Sequence, residues 1–82
     1  MEIKGKILQI GEVKQISDKF KLQPILIETG DKYPRKLQLQ LKDRAMQQII
    51  NIGDVLIFKF DAESREYNDK WYTNLNCYEI TK

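Results

Sequence analysis

Apolar and polar residues alternate along most of this chain with a period of two, the mark of strands with one face buried and one face wet. Residues 2 to 13 set Ile3, Gly5 and Ile7 against Glu2, Lys4 and Lys6, then change phase to Leu8 and Ile10. That change predicts a long first strand bent near Gly5 or Gly11, able to serve two sheets. A polar segment at residues 14 to 19 follows, and then a second strand centred on Ile25-Leu26-Ile27, with a turn at Thr29-Gly30-Asp31-Lys32. Residues 34 to 42 alternate most cleanly, with Leu37, Leu39 and Leu41 against Lys36, Gln38, Gln40 and Lys42.

The period changes next. Asp43 is a candidate N-cap, and Met46, Ile49 and Ile50 recur at helical spacing before Asn51-Ile52-Gly53, which predicts a helix of about two turns that plugs the core. A fourth strand over residues 54 to 63 places Leu56, Phe58, Phe60 and Ala62 opposite Val55, Ile57, Lys59 and Asp61. After a polar turn around Asn68-Asp69, a fifth strand places Trp71, Thr73, Leu75 and Cys77 opposite Tyr72, Asn74, Asn76 and Tyr78. Pro24 and Pro34 fall where strands tolerate proline.

The expected order is therefore β-β-β-α-β-β in one domain over residues 1–82: an all-β fold with one short helix. A short helix between the third and fourth of five strands is the layout of the OB-fold, a partly open Greek-key barrel. Its second and third strands and flanking loops bind oligonucleotides or oligosaccharides.

Composition narrows the chemistry. With no histidine and one cysteine, the chain has neither the common zinc-ligand sets nor an internal disulfide, and it lacks most acid–base and nucleophilic arrangements. The reading is a non-enzyme with no cofactor and no metal. Cys77 alternates with Leu75 and reads as a small core residue, while Glu63, Glu66 and Asp69 read as solvated charge. No apolar run is long enough to span a bilayer and the first residues lack a signal-peptide core, so a soluble, unprocessed protein of a reducing cytoplasm is expected.

The net charge is only +2, but residues 1 to 42 carry nine Lys/Arg against five Asp/Glu, whereas residues 43 to 82 carry five against seven. Aromatic and basic residues interleave at Phe20, Lys21, Tyr33, Arg35 and Lys36, and again at Arg65, Tyr67, Lys70, Trp71 and Tyr72. Bases stack on exposed rings while Lys and Arg track phosphates, so this pattern points to single-stranded nucleic acid. Trp71 and Phe20 also suit a structural role as barrel caps, and Arg65 and Tyr67 suit loop packing.

Three stretches carry a resemblance: Glu2-Ile3-Lys4-Gly5-Lys6-Ile7, Tyr33-Pro34-Arg35-Lys36, and the run from Phe60-Asp61-Ala62-Glu63-Ser64-Arg65-Glu66-Tyr67 to Trp71-Tyr72-Thr73. Together they resemble a small family known as a domain of unknown function, to which an OB fold and a single-stranded DNA-binding role are ascribed. Asp69 stands where that pattern has a turn glycine, Asn76 where it has a basic residue, and Tyr78 where it has tryptophan. The segment between the first two strands is shorter than in that pattern.

The resulting expectation is largely sequence-independent binding of single-stranded DNA on an open barrel face. Its contacts would be Lys21, Tyr33, Arg35, Lys36, Gln38, Arg65, Tyr67, Trp71 and Tyr72. Two alternatives stay open. One is RNA as the ligand. The other is a protein-interaction module, such as a homodimer formed through the outward apolar Val55 and Ile57.

Overall fold

The computed structural model describes residues 1–30, 32–42 and 44–82, with the backbone alone at Ser17 and Arg44. The N-cap expected at Asp43 and the Asp31 position of the turn lie outside the described residues. The elements are β1 (Glu2–Ile10), β2 (Lys14–Ser17), β3 (Phe20–Thr29), β4 (Arg35–Leu41), α1 (Arg44–Gln47), β5 (Val55–Tyr67) and β6 (Lys70–Thr81). Five of the strands close a ring in the order β1-β5-β6-β4-β3, with β3 returning to β1, and β2 extends the sheet beyond β3. This barrel-like closure, with a helix between its third and fourth strands, has the all-β layout and the helix position expected from the alternation.

β1 is the hinge of the closure. Its first half, Glu2 to Lys6, pairs with β5, and its second half, Lys6 to Ile10, pairs with β3. The register slips between Ile7 and Gln9, a bulge at Leu8 that lies between the two expected bend positions. Gly5 sits where the strands crowd: a Cβ there would lie 2.9 Å from Ile27 Cδ1 and 3.2 Å from the Glu28 carbonyl oxygen. Pro24 falls where β3 exchanges β2, which it pairs through Leu22, for β1, which it pairs from Ile25. A missing N–H is tolerated at such a break in the ladder.

The core consists of the inward phase of each strand: Ile7; Ile25 and Ile27; Leu39 and Leu41; Leu56, Phe58 and Phe60; Cys77 and Ile80. Leu37 and Leu75 pack against it half-buried. Phe58 is fully buried and Phe60 nearly so, so the aromatic pair of the fourth expected strand does fill the ring.

Three features depart from expectation. The polar segment at residues 14 to 19 forms β2, hairpinned onto β3 through the pairs Lys14–Leu22, Gln15–Lys21 and Ser17–Phe20. The helix is one turn instead of two, because local bonds compete with it: the Asn51 N–H donates to Asp54 Oδ2 at 2.9 Å, and Gly53 (φ 98°) donates its N–H to the Ile7 carbonyl at 2.8 Å. Ala45 is buried and Met46 and Ile50 pack on the core, while Ile49 is 93% exposed. Finally, β5 and β6 run well past the ring. Every residue from Asp61 to Thr73 is exposed, so this hairpin stands out as a two-stranded arm, roughly 20 Å long at the rise of an antiparallel strand. Ala62, expected in the core, is therefore on the arm and exposed.

Candidate functional site

Strand alternation assigns each side chain a face. β6 meets β4 in parallel at the pairs Gln40–Asn76 and Leu41–Cys77. Leu41 and Cys77 point inward, so Gln40 and Asn76 point outward, and the outward row of β4 reads Lys36, Gln38, Gln40, Lys42. Cross-strand pairing carries the same outward face onto the arm as Asp61–Asn76, Glu63–Asn74, Arg65–Tyr72 and Tyr67–Lys70.

These rows meet in a shallow groove of about 160 Å³. One wall is apolar, from Phe20 and Leu22 of β3 with Ile16 of β2. The floor is polar, from Gln40 and Lys42 of β4 and Asn74 and Asn76 of β6, and the far rim is Glu63 and Arg65 of the arm. The groove thus lies over the second and third strands of the ring, between the β2 hairpin and the arm, the two projections that flank the ligand face of an OB barrel.

Its charges are held in place locally. Arg65 Nε donates to Glu63 Oε1 at 3.0 Å, and the Lys42 ammonium lies 4.9 Å from the centre of the Phe20 ring. Among the described residues no hydrogen bond engages the side-chain amides of Gln40, Asn74 or Asn76, and no group of His, Cys, Asp and Glu is arranged to hold a metal ion.

The arm owes its shape to its tip. Asn68 and Asp69 both adopt left-handed backbone, at φ 52° and 61°, the combination a two-residue type I′ hairpin turn demands. Ser64 and Thr73 share a hydroxyl–hydroxyl bond of 3.0 Å on the inward-phase face, next to the Glu66–Trp71 pair.

The nine residues singled out from sequence do not all share one face. Lys36, Gln38, Arg65, Tyr67 and Tyr72 lie on the outward surface, and Arg65 alone of the nine lines the groove. Gln38 borders a second depression with Gln9, Pro24 and Leu26. Trp71 is 68% exposed but on the opposite face of the arm from Tyr72. Arg35, in the inward phase opposite Thr29, and Tyr33, 79% exposed, stand at the end of β4 toward which the arm also points. Lys21 lies at the other end of the ring, in the opposite phase to Phe20 and Leu22.

Sequence reasoning placed none of Gln40, Lys42, Glu63, Asn74 and Asn76 among the contacts, and it read Glu63 as solvated charge where the structure pairs it with Arg65 at the groove. Their signal was present, since each occupies the outward phase of a strand whose inward phase is apolar or small.

The fold defines a small, mostly β protein whose five strands close a barrel-like ring with one short helix. The chain belongs to the family described as a domain of unknown function, DUF3127, which matches it over residues 2–81. No curated protein and no solved structure matches it. No helix among the described residues is long and apolar enough to cross a membrane.

Proposed function

We propose that this protein binds single-stranded DNA along its outward face, acting by binding and not by catalysis. The observation that carries the reading is the groove between the two projecting hairpins. It combines an apolar wall with Phe20, two cations at Lys42 and Arg65, and amides open to a ligand. A base can stack against the apolar wall while the Lys42 ammonium, resting over the Phe20 ring, moves to a phosphate. Lys36 and Gln38 extend the contact along β4, and Tyr67, Lys70 and Tyr72 extend it along the arm. Lys21, Tyr33, Arg35 and Trp71 would serve a strand that continues around either end of the ring. A single buried free thiol fits a reducing compartment such as the cytoplasm.

The test is fluorescence anisotropy with a labelled single-stranded DNA of mixed sequence, its RNA counterpart and the matched duplex, over a salt series. The expected result is binding of the DNA strand in preference to the duplex. Replacing Lys42 and Arg65 together by glutamine should flatten the salt slope by roughly 1.4, or about 0.7 for each phosphate no longer neutralised. Preference for the RNA strand would move the reading to RNA, and no binding at low salt would overturn it.

A second reading, self-association, is favoured by Ile49, Ile52 and Val55, each more than half exposed. Ile57 contributes less, because it is half-buried opposite Lys4. Light scattering tests it: a mass of twice the chain at micromolar concentration supports a homodimer, and a monomer rejects it.

A further inference from the structure

The groove sets a carboxylate, Glu63, beside the amides of Gln40, Asn74 and Asn76. Next to the seam between β4 and β6, Asp61 stands across from Asn76 and Glu63 across from Asn74, and Gln40 is level with Asn76. Arg65 reaches outward, its side chain 75% exposed against 43% for Glu63. Of this rim pair the cation is the more exposed, and Glu63, paired with Asn74, lies one step nearer the seam. A phosphate placed against Glu63 itself is repelled, whereas a base edge that carries a donor is not.

The donor and acceptor inventory says which edge. Each primary amide can turn either its oxygen or its nitrogen toward a ligand, so Gln40, Asn74 and Asn76 accommodate any base. Glu63 can only accept. One of its oxygens, Oε1, takes the Arg65 Nε–H bond, which leaves Oε2 for a ligand donor. Cytosine and adenine present an exocyclic amino group in that place. Uracil and thymine present a carbonyl oxygen, and their one edge donor, N3–H, is flanked on both sides by oxygens that a carboxylate repels.

Resting on the binding reading above, we infer that the groove reads one nucleotide of an otherwise sequence-tolerant strand, and that Glu63 selects there a base with an exocyclic amino group. Gln40, Asn74 and Asn76 complete the edge contacts. Arg65 takes the adjoining phosphate through the guanidinium nitrogens that Glu63 does not use.

The experiment compares labelled oligo-dC and oligo-dU of equal length at neutral pH, with the mixed-sequence DNA as the reference probe, for the wild type and for Glu63→Gln. The two bases differ only in the amino or oxo group and the matching N3 proton, so stacking and backbone charge cancel. The expected ratio is about tenfold in favour of oligo-dC, falling to within about twofold in Glu63→Gln, where the new amide can turn to either base. Equal affinity of the wild type for the two, with the mixed-sequence strand bound, overturns the selection and leaves strand binding standing. A ratio that persists in Glu63→Gln also overturns it, by removing the role of the carboxylate. Failure to bind any of the three strands overturns the binding reading itself.

Discussion

The Cys77 thiol is fully buried beside Phe60 and Leu41, and its Sγ–H donates to the Glu79 carbonyl at 3.5 Å. Burial disfavours the thiolate and pushes the thiol up from 9.0 to about 11. The unfolded chain therefore loses this proton first as the pH rises. Below pH 9 the contribution of the buried thiol is constant, and between about 9 and 11 it is lost as the unfolded state alone ionises. Urea unfolding of the wild type and of Cys77→Ala across this window should show their stability difference shrinking by on the order of 1 to 2 kcal/mol. A constant difference would mean that the fold does not hold the proton. At Gly5 the constraint is steric. An added Cβ meets a side-chain tip that can shift, Ile27 Cδ1, and a backbone carbonyl that cannot, that of Glu28. Gly5→Ala should cost roughly 1 to 3 kcal/mol, read as a lower thermal midpoint with the groove unaltered.

Among the elements, the arm separates what strand alternation determines from what it does not. Both strands were legible in sequence because their phase is clean from Leu56 to Phe60 and from Leu75 to Cys77. That they leave the barrel was less visible, although the inward phase turns from Leu56, Phe58 and Phe60 to Ala62, Ser64 and Glu66, residues too small or too polar to favour burial. β2 was illegible for a related reason: Lys14, Gln15 and Ile16 are all exposed, so no buried face stamps a period on them. The short helix failed on competition, since Asp54 and Gly53 draw the chain into a turn that hydropathy spacing ignores. At the candidate site, residue type drew notice to exposed rings such as Trp71 and Tyr33. The groove itself follows from which strands adjoin, and one strand at a time does not show that. The tip of the arm offers a direct measurement. Asp69 holds φ 61° at a cost glycine would not incur. Asp69→Gly should stabilise the hairpin by roughly 0.5 to 1 kcal/mol, seen as slower amide exchange at Arg65 and Tyr72 with little change in global unfolding, because the arm packs against nothing in the core.

For the molecule as a whole, the closure of the ring is uneven. β1 joins β5 over five register pairs and β3 joins β4 over seven, but β4 joins β6 over only two, Gln40–Asn76 and Leu41–Cys77, with one further bond from the Lys42 N–H to the Cys77 carbonyl at 3.0 Å. The barrel is a cylinder slit along most of one side. Native-state hydrogen exchange should find the Lys42 amide opening at a lower free energy than amides of the β1–β5 ladder, and equal protection would mean the slit is as firm as the wall. The groove straddles the short seam that closes the slit at one end, with Gln40 and Lys42 on one side and Asn74 and Asn76 on the other. A strand of nucleic acid seated there would act as a stitch: by gripping both lips it would slow exchange at Lys42 and raise the melting temperature of the whole barrel, so that occupancy could be followed far from the ligand by the stiffness of the wall.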